Sequence, residues 1–149
     1  MITRTLSTIA VLFTLSMPAA AAEALVAADV GKAFADGEAI NDMGVRTGYF
    51  LTFGPLLAGP EAGVRRLGDG DQAANLVHAG VRVGFELLTM MSVFARYEGI
   101  GEDIAGTTFG LSMDFNKVPM VNMGVHGAWT QYGEASGLPS AGVHAGLRF

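Results

Sequence analysis

Apolar and polar residues alternate along most of the chain beyond residue 22. Over 76–88, Val77 and Val81 stand on one parity, while His78 and Arg82 stand on the other. A side-chain period of two is typical of a strand with one apolar and one polar face. The same alternation predicts six strands, which cover 44–53, 76–88, 91–97, 107–115, 121–129 and 142–149.

Two weaker alternations raise the predicted number of strands to eight. They cover 24–34 and 56–66. The first segment also fits a helix, because Val26, Val30 and Phe34 are spaced as they would be on one helical face. Six strands preceded by an N-terminal helix are therefore the alternative architecture.

The polar parity differs from that of a soluble protein. A soluble β-sandwich would carry Lys, Glu, Ser and Thr there, but this parity is rich in Gly and holds isolated charges and all three His. The other parity is large and uncharged in the six clear strands. Small or polar residues inside and apolar residues outside are typical of a transmembrane β-barrel, which leaves no backbone edge in hydrocarbon. We therefore predict an all-β fold, an eight-stranded antiparallel up-and-down transmembrane β-barrel with short loops.

The composition fits this architecture and excludes several others. The 149 residues are 50% hydrophobic with a mean hydropathy of +0.39, yet no apolar run beyond residue 22 reaches the roughly 18 residues of a spanning helix. The absence of Cys excludes disulfide scaffolds, thiolate metal sites and cysteine nucleophiles. A net charge of −5 argues against nucleic acid as a partner.

Residues 1–22 have the features of a secretory signal peptide. A basic residue precedes an apolar stretch over 6–17, and a run of Ala over 19–22 follows. The stretch is too short to span a membrane as a helix, and the small residues suit signal peptidase. We expect cleavage before Glu23, which leaves 23–149 as one β-barrel domain of an exported protein.

Aromatic residues recur at the predicted strand ends. Four Phe follow one another at intervals of 30 to 34 residues, and a second set lies at the opposite strand ends, which indicates four hairpins. Aromatic girdles at both membrane interfaces are typical of outer-membrane barrels. The predicted girdle consists of Phe34, Phe53, Phe85, Tyr97, Phe115, Trp129 and Phe149.

The connections predict which end of the barrel faces the periplasm. Tight turns are expected near 54–55, 88–89 and 116–118. Longer, acidic loops are expected at 35–42, 67–75, 99–104 and 132–138. Short periplasmic turns and longer outer loops are the usual asymmetry of these proteins, so we expect both chain termini on the periplasmic side.

The C-terminus carries a specific resemblance. Val143, Leu147 and Phe149 alternate back from a terminal aromatic residue, and this ending is similar to the signal read by the outer-membrane assembly machinery. The chain as a whole resembles the small outer-membrane β-barrel proteins of Gram-negative bacteria, in the size class of the OmpA membrane domain and its eight-stranded relatives. The resemblance implies a location in the bacterial outer membrane but no particular activity.

The polar parity would fill the barrel interior with charge. Five Arg balance five acidic residues there, and an eight-stranded barrel is just wide enough for side chains to fill it. Buried charges need partners, so we predict a mutually paired plug, with Arg82, Glu86 and Arg96 as one cluster. The Gly-rich wall also leaves room for a narrow water path, so a pore for ions or small solutes is the alternative. The predicted interior network consists of Asp29, Arg46, Glu61, Arg65, His78, Arg82, Glu86, Arg96, Glu98, Asp114, His126, His144 and Arg148.

Two His are predicted to face each other inside the barrel. A loop centred near residue 134 or 135 would pair residues whose numbers sum to about 270, such as His126 and His144. Such a pair suits a metal site, a proton-sensitive gate or a catalytic base, or simply two more members of the polar core. Without a nearby acidic cluster the two rings are weak evidence for a metal, so we predict no metal site and no cofactor.

A lipid-modifying enzyme is the less favoured alternative. It would need a nucleophile or base within reach of an acyl chain of the outer leaflet, but no His lies on the outward parity and Ser92, Ser112 and Ser140 point inward. Phe50 and Phe94 alone do not make a long apolar pocket. We therefore predict a structural or surface-interaction protein without enzyme activity.

Two basic residues depart from the apolar outward parity. Lys32 and Arg66 both fall at the predicted outer rim. They would either contact lipopolysaccharide phosphates or extend their long side chains to the interface. The predicted partners are thus outer-membrane lipid and lipopolysaccharide, together with the assembly machinery during biogenesis.

Overall fold

The computed structural model describes residues 21–86, 90–100, 104–115, 118–134 and 137–149, apart from the side chains of residues 86, 100 and 104. These described residues form a closed barrel of eight strands, each antiparallel to its neighbours in chain order, with the last strand paired to the first. The predicted up-and-down barrel is confirmed. Its strands are β1 (Ala21–Ala35), β2 (Glu38–Phe53), β3 (Leu56–Leu67), β4 (Ala74–Glu86), β5 (Met90–Ile100), β6 (Ile104–Asp114), β7 (Val121–Tyr132) and β8 (Leu138–Arg148).

The N-terminal segment of the barrel is a strand, so the alternative of six strands and a helix is wrong. Leu25 and Ala27 are buried, whereas Val26 and Val30 are about half exposed, which is the two-residue period of a strand. β1 also pairs with β2 on one side and with β8 on the other. Its backbone therefore supplies the ladder that closes the barrel, which a helix could not do.

Residues 1–20 lie outside the described residues, so the signal peptide stays a prediction. Among the described residues, no helix has the length and apolar character that a membrane crossing requires.

The strands are staggered around the barrel. Register partners followed once around the ring from Ala22 return to the same strand at Lys32, a shift of ten residues from 22 to 32. A stagger of this kind tilts the strands and, together with their number, sets the barrel's width. With eight strands, the interior has room for side chains and little else.

The first hairpin connection is much shorter than predicted. A loop over 35–42 was expected, but β1 and β2 continue to a two-residue turn at Asp36 and Gly37, with φ angles of 49° and 86°. Two positive φ angles are typical of a type I′ turn, whose twist matches that of the flanking strands, and Asp-Gly is a favoured sequence for it.

The loop predicted over 99–104 is also shorter, because β5 continues to Ile100 and β6 begins at Ile104. The other connections agree with the prediction where they are described. Gly54 and Pro55 form the predicted tight turn between β2 and β3. The connection over 68–73 contains a single turn of 3₁₀ helix, Gly70–Gln72. The turn predicted near 88–89 and most of the turn predicted near 116–118 lie outside the described residues.

The barrel is apolar outside and polar within. Val77, Leu111 and Trp129 are 65%, 62% and 51% exposed on the outer wall, while the charged side chain of Glu98 inside is 1% exposed. This distribution is the reverse of a soluble protein and suits a wall that faces hydrocarbon.

Apolar side chains form a buried layer at each end of the polar interior. Leu25, Phe50, Leu57 and Met90 pack together near the end where β2 turns into β3. A second layer lies near the opposite end and consists of Ala33, Leu67 and Leu76 with the partly buried Ile40, Tyr132 and Leu138. The charged groups around Glu61 thus lie between two apolar layers, whereas Glu23 and Arg148 lie level with the first layer.

Candidate functional site: the polar interior

A first ion cluster centres on Glu61. This β3 carboxylate accepts hydrogen bonds from Arg82 Nε at 2.8 Å and Arg96 Nε at 2.5 Å, and its Oε2 lies 3.6 Å from Arg46 Nη1. Arg46 in turn donates to both carboxylate oxygens of Asp29 at 3.2 Å. One buried acid therefore holds three guanidinium groups from β2, β4 and β5. Such an arrangement satisfies charges that are removed from water.

A second ion cluster centres on Arg65. Its guanidinium donates to Asp42 at 2.7 and 2.8 Å and to Glu98 at 2.8 Å. It also reaches the hydroxyls of Thr130 at 3.2 Å and Ser140 at 3.4 Å. These partners lie on β2, β5, β7 and β8, so one side chain on β3 is bonded to strands on all sides of the interior.

Hydroxyl groups complete both clusters. Ser92 and Ser112 accept from Arg82 Nη1 at 2.8 and 2.6 Å and contact each other at 2.8 Å. Thr108 donates to Glu98 at 2.6 Å. Ser112 is therefore bonded to Arg82 and Ser92, although it pairs directly with His126 in the register of β6 and β7.

An aromatic ring separates two of the arginines. The guanidinium carbons of Arg82 and Arg96 lie 4.8 and 4.2 Å from the centroid of the Phe94 ring. Both distances fall within the range of cation–π attraction. Phe94 thus places a buried apolar ring against two guanidinium groups inside the barrel.

The cluster of Arg82 and Arg96 differs from the prediction in its acid. Glu86 was expected to hold both arginines, and the described bonds of both go to Glu61 on β3, which the predicted cluster did not include. The side chain of Glu86 lies outside the described residues. Glu61 can serve both because β3 neighbours β4, and β4 brings β5 within reach at the same height.

Two acidic members of the interior were missed by the sequence analysis. Asp42, which is 8% exposed, was assigned to a loop, although it has the same parity as Arg46 on the same strand. Glu23 pairs with Arg148, and its parity is that of Asp29. Extending the alternation to the ends of both strands would have found them.

Two of the three His residues, His126 and His144, form a third group at the seam between β7, β8 and β1. His144 Nε2 lies 2.5 Å from Asp114 Oδ1, and the rings of His126 and His144 are stacked at a centroid distance of 5.9 Å. His126 Nδ1 lies 3.9 Å from Asp29 Oδ1. His78 is a separate, buried ring on β4.

The two stacked rings are diagonal neighbours, so the predicted direct pairing is wrong by two residues. His126 pairs with Gly142 and His144 pairs with Gly124. The residue numbers of partners on β7 and β8 sum to 268 rather than about 270. The connecting loop is therefore centred at residue 134, which is the earlier of the two predicted centres. Each ring faces a glycine, which leaves space for the imidazole.

Little free volume remains between these groups. One interior cavity of about 20 Å³ lies beside Asp29, His78 and His126. Another of about 10 Å³ lies near Phe50 and the opposite apolar layer. A volume of about 10–15 Å³ holds one water molecule, so these cavities are the size of single waters or ions.

The outward-facing predicted residues lie near the two rims. The seven aromatic residues of the predicted girdle are exposed, apart from the partly exposed Phe53. Val143, Leu147 and Phe149 also point outward, at 57%, 50% and 64% exposure. Their roles as interface anchors and assembly signal stay predictions.

The two outward basic side chains lie on neighbouring parts of one rim. Lys32 Nζ donates to Asn41 Oδ1 at 2.6 Å, and Arg66 Nη2 donates to the Gly70 carbonyl at 3.0 Å. Asn41 also bonds Asp69. Both cations are therefore held at the end of the barrel where β1 turns into β2 and β3 leads to the 3₁₀ turn.

Comparison with known proteins finds solved structures that have this fold. No family model matches the chain, and no curated protein sequence matches it. Among solved structures, Neisserial surface protein A is 12% identical with a TM-score of 0.59, and the match covers 88% of this chain and 98% of that one. The attachment invasion locus protein Ail of Yersinia pestis, solved with the heparin analogue sucrose octasulfate, is 13% identical with a TM-score of 0.56, covering 89% and 100%.

A de novo designed transmembrane β-barrel is similar too. It is 16% identical with a TM-score of 0.63, and the match covers 85% of this chain and 95% of the designed one. The chain therefore has the fold of small eight-stranded outer-membrane β-barrels. At 12–16% identity the likeness extends to the fold and not to what these proteins bind.

Proposed function

We propose that this protein is a sealed β-barrel of the bacterial outer membrane with a structural or surface-presenting role, and that it is neither a pore nor an enzyme. The observation that carries the proposal is the pair of ion clusters around Glu61 and Arg65. Their ion pairs join β3 to β2, β4 and β5, and Arg65 also reaches β7 and β8 through the hydroxyls of Thr130 and Ser140. Apolar layers lie at both ends of these clusters. Opening a water path would require breaking buried ion pairs.

The pore alternative is tested by conductance. The refolded full chain, inserted into planar bilayers, should give no openings. The double variant Arg65→Ala with Glu98→Ala removes the bridge across the interior and should give small openings. The matched control, Lys32→Ala with Arg66→Ala, removes two outward cations and should stay silent. Reproducible openings of the unaltered chain would contradict the proposal.

The enzyme alternative is tested on the lipid itself. The two interior cavities of the described residues, about 20 and 10 Å³, do not admit an acyl chain, which supports a role without catalysis inside the barrel. Mass spectrometry of lipid A and phospholipids should give the same acylation pattern in cells with and without the gene. A change in acylation would argue for a lipid-modifying enzyme.

The described loops that such a barrel presents are short, and their exposed surface is acidic. Asp36, Glu38, Asp69 and Asp71 are exposed at the loop end, and they would repel a polyanion. The sulfated ligand solved with the similar Ail barrel is therefore a poor guide to this chain. A partner that docks on these exposed acidic side chains, rather than on the outward cations Lys32 and Arg66 of the same rim, would have to be basic or uncharged.

We further propose that Lys32 and Arg66 contact phosphates of lipopolysaccharide. Both are exposed at the rim where that lipid's phosphates would lie, and both are oriented by bonds to Asn41 and Gly70. Lys32→Ala with Arg66→Ala should reduce the lipopolysaccharide that co-purifies with the barrel. Unchanged co-purification would leave them as side chains that extend to the interface.

A further inference from the structure

We infer that the seam between β7, β8 and β1 is a binding site for a divalent transition-metal ion of the zinc class, held by Asp29, His126 and His144. One ligand atom from each of these residues lies within 4.8 Å of the other two. The site is independent of the proposed sealed-barrel role, because it uses groups that the two ion clusters leave free or bind only in part.

The first argument is the unpartnered nitrogen on each ring. Nδ1 of His126 and Nδ1 of His144 are buried and have no hydrogen-bond partner among the described residues, and the His144 residue is only 3% exposed. A buried polar atom without a partner is destabilising by about 1–3 kcal/mol. A bound cation would satisfy both nitrogens at once, because a metal accepts the lone pairs that no donor here occupies.

The second argument is the partner on the far side of His144. Asp114 lies 2.5 Å from its Nε2. Metal-ligating His almost always donates its other ring N–H to a carboxylate or carbonyl, which fixes the tautomer and makes the ligating nitrogen more basic. With the proton on Nε2, the Nδ1 lone pair of His144 is available for coordination.

The third argument is the register at the seam. Asp29 on β1 pairs directly with His144 on β8, so the carboxylate enters the site from the adjacent strand. Gly142 and Gly124 stand opposite the two rings, and a Cβ at either position would lie within 3.0 Å of a ring carbon. These glycines give the imidazoles room to turn toward a common point.

The chemistry of the donors selects the metal. Two imidazole nitrogens and one carboxylate are a common set for Zn²⁺, with bonds of about 2.0–2.2 Å that place tetrahedral ligand atoms about 3.4 Å apart. The side chains would close by about 1 Å on binding. Ca²⁺ and Mg²⁺ prefer an all-oxygen set and should bind poorly.

One positive neighbour, Arg46, borders the site. It donates to Asp29, and its Nη1 is also 3.6 Å from Glu61, which Arg82 and Arg96 share. Asp29 and Asp114 supply two negative charges around the site, and Arg46 offsets part of the charge of Asp29. The cavity of about 20 Å³ beside His126 offers the space of one ion or water.

In the test, the metal-free full chain is folded in the presence of Co²⁺ and excess metal is removed. Visible absorption and metal content are then recorded. Co²⁺ reports tetrahedral coordination by intense bands, and displacement by Zn²⁺ should abolish them. The unaltered chain should retain one equivalent. His126→Ala is the decisive variant, because within the described part of the chain that ring makes no hydrogen bond whose loss would leave a partner unsatisfied. The metal affinity of this variant should fall by more than the roughly 100-fold that loss of an outer-shell group produces.

Further variants separate coordination from folding. Asp29→Asn should also weaken binding, and Asp114→Asn should weaken it by about 10–100-fold. His78→Gln is the matched control, since it alters another buried ring whose Nδ1 has no partner but lies outside the three ligands, and it should bind like the unaltered chain. Heat-dependent gel mobility confirms that each variant is a closed barrel. Absence of tetrahedral Co²⁺ in the unaltered chain, or equal binding by folded His126→Ala, would overturn the proposal.

Discussion

Arg65 on β3 and Glu98 on β5 are bonded across the barrel interior although their strands are not neighbours, with Nη1 and Oε1 2.8 Å apart. Backbone ladders join each strand only to the next. A side-chain bond of this kind ties strands that the sheet leaves apart, and it does so between two largely buried side chains.

Removing the acid of this bridge should destabilise the barrel. Glu98→Ala leaves Arg65 with one carboxylate partner and deprives Thr108 and Tyr132 of their acceptor. We expect a loss of about 3–5 kcal/mol in the free energy of unfolding, as for other broken buried ion pairs. Equilibrium urea unfolding in lipid vesicles measures this loss.

The control for this prediction is an exposed acid. Glu38→Ala changes a carboxylate at the loop end and should alter stability by no more than about 0.5 kcal/mol. Equal unfolding midpoints for the two variants would show that the interior pair contributes nothing.

The two-residue alternation was enough to predict which residues face inward, but not which of them meet. An error of one residue in register would move a side chain to the other face, whereas an error of two keeps it inside. His126 and His144 illustrate this, because the predicted pairing was two residues off and both rings still lie in the interior. Their diagonal contact depends on a loop centre that the pattern does not specify.

The partners of the arginines depend on geometry beyond neighbouring residues. Arg65 reaches Glu98 because the strands are tilted and staggered around the ring, and no local pattern encodes the height of a side chain in the barrel. Asp42 was missed for a simpler reason. The Asp-Gly turn signal at 36–37 was not used, so the start of its strand was taken as loop.

A charge in the middle of the outer wall should be far more destabilising than one near the rim. Val81 lies midway along β4 and is 57% exposed. If hydrocarbon surrounds this position, Val81→Arg should lower the free energy of unfolding by about 2–4 kcal/mol.

The matched control places the same charge closer to the loop end. Val77 is three residues from the start of β4, as Lys32 is three residues from the end of β1. Val77→Arg should therefore lower stability by about 0–1 kcal/mol. Unfolding in vesicles compares the two, and similar losses would be inconsistent with a membrane centred on Val81.

The turn between β1 and β2 should depend on its glycine. Gly37 has a φ of 86°, and a Cβ at that position would meet nothing within 4 Å. Any loss in Gly37→Ala therefore comes from backbone strain alone, and we expect about 1–2 kcal/mol. Asp36→Asn should be neutral, because Asn tolerates the same positive φ. Urea midpoints of the two variants test this, and a neutral Gly37→Ala would contradict the type I′ assignment.

Gly110 should be replaceable only if the ring that covers it is shortened. A Cβ at Gly110 would lie 2.2 Å from Phe94 Cζ, so Gly110→Ala forces the ring away from Arg82 and Arg96 and should lower stability by about 1–3 kcal/mol. Phe94→Leu lacks that atom, so the double variant should recover part of the loss, with a coupling energy of about 0.5–3 kcal/mol. Gly127→Ala is the control, because a Cβ there meets only Ser140 O at 3.8 Å among the described residues. Purely additive losses in a double-mutant cycle would mean that the ring does not pack over Gly110.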